Sequence, residues 1–172
     1  KYIVENRITD SRQLTLSSVV NWSILPELKV NGGIDASIYK GKNYKRMDDL
    51  LGGQYWLDID QFVERDYFDN PNLAQNDLDN PNRKVKVGDT FGYSYDANVN
   101  NGNIWAVANY ALNRIDIYAG ANYNYSEFWR TGNMRNGRFP DNSKGDSPKQ
   151  VFHNYGVKTG ATWKITGRHY LD

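Results

Sequence analysis

The sequence predicts an all-β chain, an antiparallel up-and-down transmembrane β-barrel segment of about six strands with long extracellular loops. Three observations carry that expectation. Two long runs of strict alternation, Leu14 to Ile24 and Leu28 to Ile38, are joined by the short turn Leu25-Pro26-Glu27. Connections along the chain are by turns short and long. Mean hydropathy is -0.77, and the roughly 18 consecutive apolar residues that a membrane helix needs occur nowhere.

The first run places Leu14, Leu16, Ser18, Val20, Trp22 and Ile24 on one face and Thr15, Ser17, Val19, Asn21 and Ser23 on the other. After the turn, Leu28, Val30, Gly32, Ile34, Ala36 and Ile38 oppose Lys29, Asn31, Gly33, Asp35 and Ser37. Side chains alternate across a strand, so this is a hairpin with one apolar and one wet side. Each run is about eleven residues, longer than the five or six of an ordinary strand and matching the 9–11 tilted residues that cross a bilayer. Low hydropathy does not count against such a barrel, because only alternate residues meet lipid.

Taken in order, Lys1 to Arg12 is polar apart from Tyr2-Ile3-Val4 and reads as the close of a preceding loop or strand. Strands are expected near 14–24 and 28–39. Residues 40–90 are rich in Asp, Asn, Gly and Pro and read as a long loop. Within it, Leu50-Leu51-Gly52-Gly53 and Tyr55-Trp56-Leu57 are apolar enough to pack, so the loop is expected to be folded. Alternation returns through Val85, Val87, Phe91, Tyr93, Tyr95, Ala97 and Val99, as a strand over 91–112 or as a hairpin arm ahead of it. Asn100-Asn101-Gly102-Asn103 reads as a turn or a bulge. Asn113-Arg114 is a short turn leading to a strand over 115–128. A second polar loop, 129–149, carries Gly132, Gly137, Pro140, Gly145 and Pro148, and the strand over 150–165 ends at Thr166-Gly167-Arg168.

Short turns on one side and long loops on the other are the habit of outer-membrane barrels. Trp22, Tyr110 and Trp163 lie near the short turns, whereas Tyr123, Tyr125 and Tyr155 lie near the long loops. Tyr155 and Trp163 share a face at a spacing that, at ~3.3 Å per residue and a tilt of ~40°, spans about 20 Å of membrane normal. Together these six residues form a candidate pair of aromatic girdles. A soluble, lipocalin-like binding barrel is the competing architecture, but the polar face lacks the apolar bulk to fill a soluble core.

The 172 residues carry a formal net charge of +1 and no cysteine. Near-neutral charge gives no reason to expect a nucleic-acid partner, and the lack of thiols removes disulfides, thiolate metal sites and cysteine nucleophiles. An enzyme is not expected. His153 and His169 are the two histidines, and neither has a nucleophile at recognisable spacing or sits in a ligand-spaced cluster. No cofactor is expected. The repeat Asp69-Asn70-Pro71-Asn72 and Asp79-Asn80-Pro81-Asn82, with Asp77 between, makes Asp69, Asp77 and Asp79 weak calcium candidates. Asx-Pro segments also simply cap turns, and that reading is favoured because no EF-hand pattern accompanies them. Tyr55, Trp56, Phe62, Tyr67 and Phe68 in the same loop form a candidate external substrate surface, with Tyr55, Trp56, Tyr67 and Phe68 as the candidate contacts, or else the loop's own small core. The chain starts at Lys1 without an apolar leader and ends just beyond a turn signal, so it is expected to be a fragment of a larger protein.

Tyr39-Lys40-Gly41-Lys42-Asn43-Tyr44, running on to Asp49-Leu50-Leu51-Gly52-Gly53-Gln54-Tyr55-Trp56, resembles a strand-to-loop passage of the TonB-dependent receptors of Bacteroidota. Phe91-Gly92-Tyr93-Ser94-Tyr95-Asp96-Ala97 and Asn154-Tyr155-Gly156-Val157-Lys158-Thr159-Gly160-Ala161-Thr162-Trp163 resemble barrel strands of the same family. The resemblance covers most of the chain. It implies the middle portion of a large, plugged barrel of about 22 strands in the bacterial outer membrane. That barrel would take up a scarce nutrient, such as an iron chelate, cobalamin, a glycan or a peptide. The plug domain and its energy-coupling box are not in this chain. The partners implied are the TonB–ExbB–ExbD complex, acting through that plug, a surface substrate-binding lipoprotein, and outer-membrane lipid. The alternative is a passive outer-membrane barrel, which needs no plug.

Overall fold

In the computed structural model, which describes residues 2–67 and 69–172, the chain is an antiparallel all-β protein. Its main sheet contains β1 (Val4–Ser23), β2 (Leu28–Asp49), β5 (Thr90–Ala111), β6 (Ile115–Gly132), β8 (Gln150–Thr166) and β9 (His169–Leu171), in that order. β7 (Gly145–Asp146) pairs with β6 off this path. A small second sheet joins β3 (Trp56–Leu57) to β4 (Lys84–Val85), and α1 (Gln61–Asp66) is the one helix among the described residues. Neighbouring strands follow chain order apart from the two short insertions, so the connectivity is up-and-down.

Several strands outrun their sequence-based limits. β1 begins at Val4 rather than near Leu14, and β2 continues past Ile38 to Asp49. Lys40, Lys42 and Arg46 replace aliphatic residues there, so the pleat persists while its hydrophobic signature disappears. Hydrogen bonds from Asn6 to Asp48 (2.8 Å) and from Thr9 to Asn43 (3.0 Å) hold this stretch to β1. Residues 40–90 are therefore only partly loop. Asn100-Asn101-Gly102-Asn103 does not turn the chain, because β5 runs through it as one strand. The amides compensate for their poor strand propensity by bonding across to β6: Asn100 donates to Glu127 (2.7 Å), and Asn101 accepts from Ser126 (2.7 Å).

Compact packing divides the chain into two units. The first takes the described residues of Lys1–Gln13, Tyr39–Val99 and Phe128–Gln150. Its core is Met47, Leu50, Val85 and Phe91, with Ile3 and Trp56 packed against them. Pairing of Trp56 with Val85 in the β3–β4 sheet carries the loop onto that core. Asp60 caps α1 by accepting from the Phe62 and Val63 amides (3.0 and 3.3 Å), and Val63 is the buried residue of the helix.

The second unit takes Leu14–Ile38, Asn100–Glu127 and Val151–Asp172. None of its residues is buried. Tight turns close two of its hairpins: Ile24 and Leu25 both donate to the Leu28 carbonyl while Leu28 donates back to the Leu25 carbonyl, and Leu112 donates to Ile115. The wet face is knit together by Asp116 with Lys164 (2.7 Å), Asn124 with Asn154 (3.3 Å) and Asp35 with Asn103 (3.3 Å). Glycine is required where large side chains cross on this face. A Cβ at Gly33 would press into the Trp105 ring, and one at Gly160 into Tyr118. On the opposite face Val20 is 62% exposed, Ile34 53% and Ile117 44%.

Candidate functional site

The loops of the first unit build a cavity of about 410 Å³. Its strand wall comes from Glu5 on β1, Lys45 on β2, and Phe91, Gly92 and Tyr93 at the start of β5. The long loop supplies Trp56, Ile59, Asp60, Gln61, Phe62 and Asn76, and the second loop supplies Asn136. The wall mixes four aromatic residues, Trp56, Phe62, Phe91 and Tyr93, with polar ones, the mixture by which ligand sites combine contact area with orienting hydrogen bonds.

Lys45 organises the strand wall. It pairs with Glu5 at 3.0 Å and lies 5.9 and 5.8 Å from the Phe91 and Tyr93 ring centres. Burial alone pushes the Glu5 carboxyl upward, but hydrogen bonds from Lys45 and Arg7 outweigh it and hold Glu5 below its ordinary range.

Asp58, 2% exposed, fixes the loop wall. Its carboxylate accepts from Asn76 (2.9 Å), Arg83 (2.9 Å) and the Gly92 amide (2.8 Å). Arg83 also donates to the Thr90 carbonyl. One buried carboxylate thus ties three separate stretches of chain together, with its lone pairs satisfied by donors. Gly92 has φ +74°, a left-handed conformation that a side chain rarely adopts. That conformation accompanies the Gly92 amide's bond to Asp58.

Of the aromatic residues singled out from sequence, Trp56 lines the cavity while packing on the core. Tyr55 and Tyr67 are not among its lining residues. The Tyr55 ring instead lies under the Lys84 ammonium at 4.8 Å, and Tyr67 caps the C-terminal end of α1, more than half exposed. The single aromatic surface expected from their closeness in sequence is therefore divided, because the β3 strand and the helix turn them in different directions. Phe68 lies outside the described residues. Phe62, exposed at the cavity, joins Trp56 in its wall. Glu5, Lys45, Tyr93 and Asn136 carry no local signal, since they meet Trp56 only through strand pairing and loop docking.

The three calcium candidates occupy different roles. Asp77 accepts from the Asp79 and Arg135 amides and from the Asn80 side chain, which is turn and loop capping. Asp79 pairs with Lys144 at 2.6 Å and Arg135 at 2.7 Å. Those bonds, Lys144's first, hold the Asp79 carboxyl below its usual range and raise the Lys144 ammonium above its own. Asp69 is exposed. Among the described residues no group of three or more His, Asp or Glu side chains is gathered for a metal ion. The repeat itself is bridged by buried Gln75, which donates to the Pro71 carbonyl (3.4 Å) and the Asn82 side chain (3.0 Å) and accepts from the Asn82 amide (2.8 Å). Two Asn-Pro turns are thereby stacked around one amide.

The six candidate girdle residues all belong to the second unit. The Tyr123 and Tyr155 rings meet at a tilt of 40° with centres 5.1 Å apart, and the Tyr123 hydroxyl shares a 2.8 Å hydrogen bond with His153 Nδ1. His153 alternates with Asn154 on the same side of β8 as Val151, Tyr155 and Val157, and the Tyr123 hydroxyl gives it a polar partner there. Tyr125 meets the same imidazole edge-on at 5.5 Å and donates to Glu127 at 2.8 Å. Trp22, Tyr110 and Trp163 are exposed on the same side of their strands as the aliphatic rows.

The chain matches no protein-family model, no curated protein and no solved structure.

Proposed function

We propose that this chain is a barrel segment of an outer-membrane, TonB-dependent transporter. Its second unit meets lipid, and the loops of its first unit receive a scarce nutrient. The observation that carries the membrane part is the uncovered apolar face of the second unit. Leu14, Leu16, Val20, Trp22, Ile34, Ile38, Ile104, Ile117 and Val157 are all exposed, and no residue of that unit is buried. An apolar face this continuous on a monomer in water exceeds what soluble proteins show. It suits hydrocarbon instead, while the Asp116–Lys164 and Asn124–Asn154 pairs suit a wet interior.

The transport part is supported by the resemblance of Tyr39 to Trp56 and of Asn154 to Trp163 to TonB-dependent receptors, and by the loop cavity. In this reading Trp56, Phe62 and Tyr93 provide apolar contact to the nutrient, and Gln61, Asn76 and Asn136 orient its polar groups. An iron chelate, cobalamin, a glycan or a peptide fits that description. Energy comes from the TonB–ExbB–ExbD complex through a plug domain, and a surface lipoprotein passes substrate to the loops.

Because the chain has no cysteine, single cysteines report location cleanly. A polarity-sensitive fluorophore placed at Val20→Cys, Ile34→Cys or Ile117→Cys in vesicles is expected to emit as in hydrocarbon, and at Asn31→Cys or Asn122→Cys as in water. Water-like emission at all five positions overturns the membrane reading. Loss of nutrient uptake on deleting the partner energy complex tests transport separately, since a passive barrel would be indifferent.

A further inference from the structure

We propose that the loop cavity selects an uncharged peptide, with Asn76 accepting a hydrogen bond from a peptide N–H and Asn136 donating one to a peptide carbonyl. The inference rests on the transport reading above and narrows its substrate class. Both residues belong to the first unit. They are neighbours across the seam between the two long loops, bracketed by two backbone bonds. The Gly137 amide donates to the Gln75 carbonyl (2.8 Å), and the Leu78 amide to the Arg135 carbonyl (2.7 Å). Both residues line the cavity of about 410 Å³, and both line a smaller hollow of about 80 Å³ that shares Gly92 and Tyr93 with it.

The fold sets which end of each side-chain amide is free. Asn76 donates its Nδ2 to Asp58 at 2.9 Å, and a carboxylate paired with Arg83 offers acceptors only, so Asn76 keeps Oδ1 available as an acceptor. Asn136 is held the other way round. Its Oδ1 accepts from the Arg138 amide at 3.0 Å, a group that can only donate, and this leaves Nδ2 as the available donor. Among the described residues nothing donates to Asn76 Oδ1 and nothing accepts from Asn136 Nδ2. Both residues are half-buried, so a ligand that displaced their water without replacing its hydrogen bonds would bind poorly. The seam thus presents one fixed acceptor and one fixed donor. A peptide unit carries their complements, one N–H and one carbonyl oxygen.

The rest of the wall favours a peptide without charge. Its charged side chains already have partners, since Glu5 and Lys45 pair with each other and Asp60 caps α1. A charged ligand would find no counter-ion waiting. Trp56, Ile59, Phe62 and Phe91 supply apolar surface between the polar groups. A bare sugar carries a hydroxyl on most of its carbons, each of which needs a partner once enclosed, and this wall has few to give. A peptide alternates amides with side chains, so its apolar side chains would lie on Trp56 and Phe62 while one amide meets the asparagine pair.

The test uses the full-length protein in detergent micelles, with binding followed by titration calorimetry. The probe is N-acetylphenylalanine dimethylamide, an uncharged peptide unit with a single N–H, and its partner is the ester in which oxygen replaces that N–H. Leaving one such hydrogen bond unmade is worth about tenfold, so the parent is expected to bind the ester about tenfold more weakly. N136D exchanges the donor Nδ2 for an oxygen while keeping the Oδ1 that receives the Arg138 amide, and is expected to weaken the amide probe by about tenfold as well. N113D, the same exchange in a short turn of the second unit, is expected to bind as the parent does. Equal binding of amide and ester by the parent, a comparison that needs no variant, overturns the assignment, as does an N136D protein that binds like the parent. Preference for diacetylchitobiose over the peptide unit overturns it in favour of an acetylated sugar, and preference for cellobiose in favour of a plain glycan. Each of these results leaves the transport reading standing so long as nutrient uptake needs the energy complex. Uptake indifferent to that complex overturns the transport reading, and the peptide assignment with it.

Discussion

The two units of this chain draw on the same long strands yet solve the problem of apolar side chains in opposite ways. The unit containing Tyr39–Val99 buries Met47, Leu50, Val63, Ala74, Val85 and Phe91 within itself. The unit containing Leu14–Ile38 buries nothing and displays Leu14, Val20, Ile34 and Val157. Both draw on strands that pair in antiparallel order, so strand pairing does not distinguish them. What differs is where the apolar residues come from. In the first, the long loop brings Leu50 and Val85 to Met47 of β2 and Phe91 of β5, whereas in the second they sit on the strands alone, one per two residues, with no buried residue among them. A pleated sheet is thus neutral about its solvent, and the side chains added to it decide whether it makes its own core or needs an outside one.

The largest effect that probes this contrast is expected at Asp58. Asp58→Ala leaves the Arg83 guanidinium without its carboxylate and removes the acceptor for the Asn76 side chain and the Gly92 amide. Removing one member of a fully buried charge pair costs about 3–5 kcal/mol, and with the Arg83 side chain 34% exposed the loss here is expected at or below the low end of that range. Native-state hydrogen exchange should show the Gly92 and Asp58 amides losing protection while amides of the second unit, such as Leu112, keep theirs. Loss of protection in both units to the same extent would mean that they unfold as one and that the contrast is false.

Next in size is a charge placed on the uncovered face. At the middle of a bilayer an arginine on a barrel's lipid side costs about 2–4 kcal/mol, whereas the same change at an exposed position in water stays within about 0.5 kcal/mol. Ile34→Arg therefore separates the two solvents. Denaturant unfolding from vesicles should show the large penalty, and Asn31→Arg on the opposite face should be nearly neutral. A neutral Ile34→Arg removes hydrocarbon from the account of that face.

How much of this was readable from sequence follows from the same contrast. The hairpins Leu14–Ile38 and Ile104–Tyr125 were legible because period-two alternation is a local signal that needs no partner to interpret. Residues 40–49 were not, since Lys40, Lys42 and Arg46 keep the pleat but cancel the hydrophobic period. The cavity was only half visible. Trp56 and Phe62 advertise themselves as aromatics in a polar loop, but Glu5, Lys45 and Asn136 join them from far along the chain, through β1–β2 and β2–β5 pairing and the docking of the second loop. In the sequence Asp58 is one acid among several, with Asp60, Asp66 and Asp69 close by. Its burial is a property of the folded loop, and no spacing rule marks it out.

The smallest expected effect concerns the seam between the two long loops, where Lys144 and Arg135 converge on Asp79 and the Leu78 amide bonds the Arg135 carbonyl at 2.7 Å. Asp79 titrates below its ordinary value because the folded state favours its charged form, so its contribution is present above the unfolded carboxylate range of about 4 and is lost as pH falls through the lowered folded value. Lys144 is raised, so its share is present at and below its ordinary range near 10.5 and fades only above it. The seam should therefore hold from about pH 5 to pH 10 and loosen on the acid side first. Because these side chains are partly exposed, the loosening should be slight and should shrink further in high salt. Faster exchange of the Leu78 amide on acidification is the measurement, and Asp79→Asn should abolish its pH dependence by making the seam loose throughout. An acid transition that survives in Asp79→Asn would move the sensor to Glu5, whose carboxyl is also held low, by Lys45 and Arg7, and would place the acid-sensitive contact at the cavity wall instead of at the loop seam.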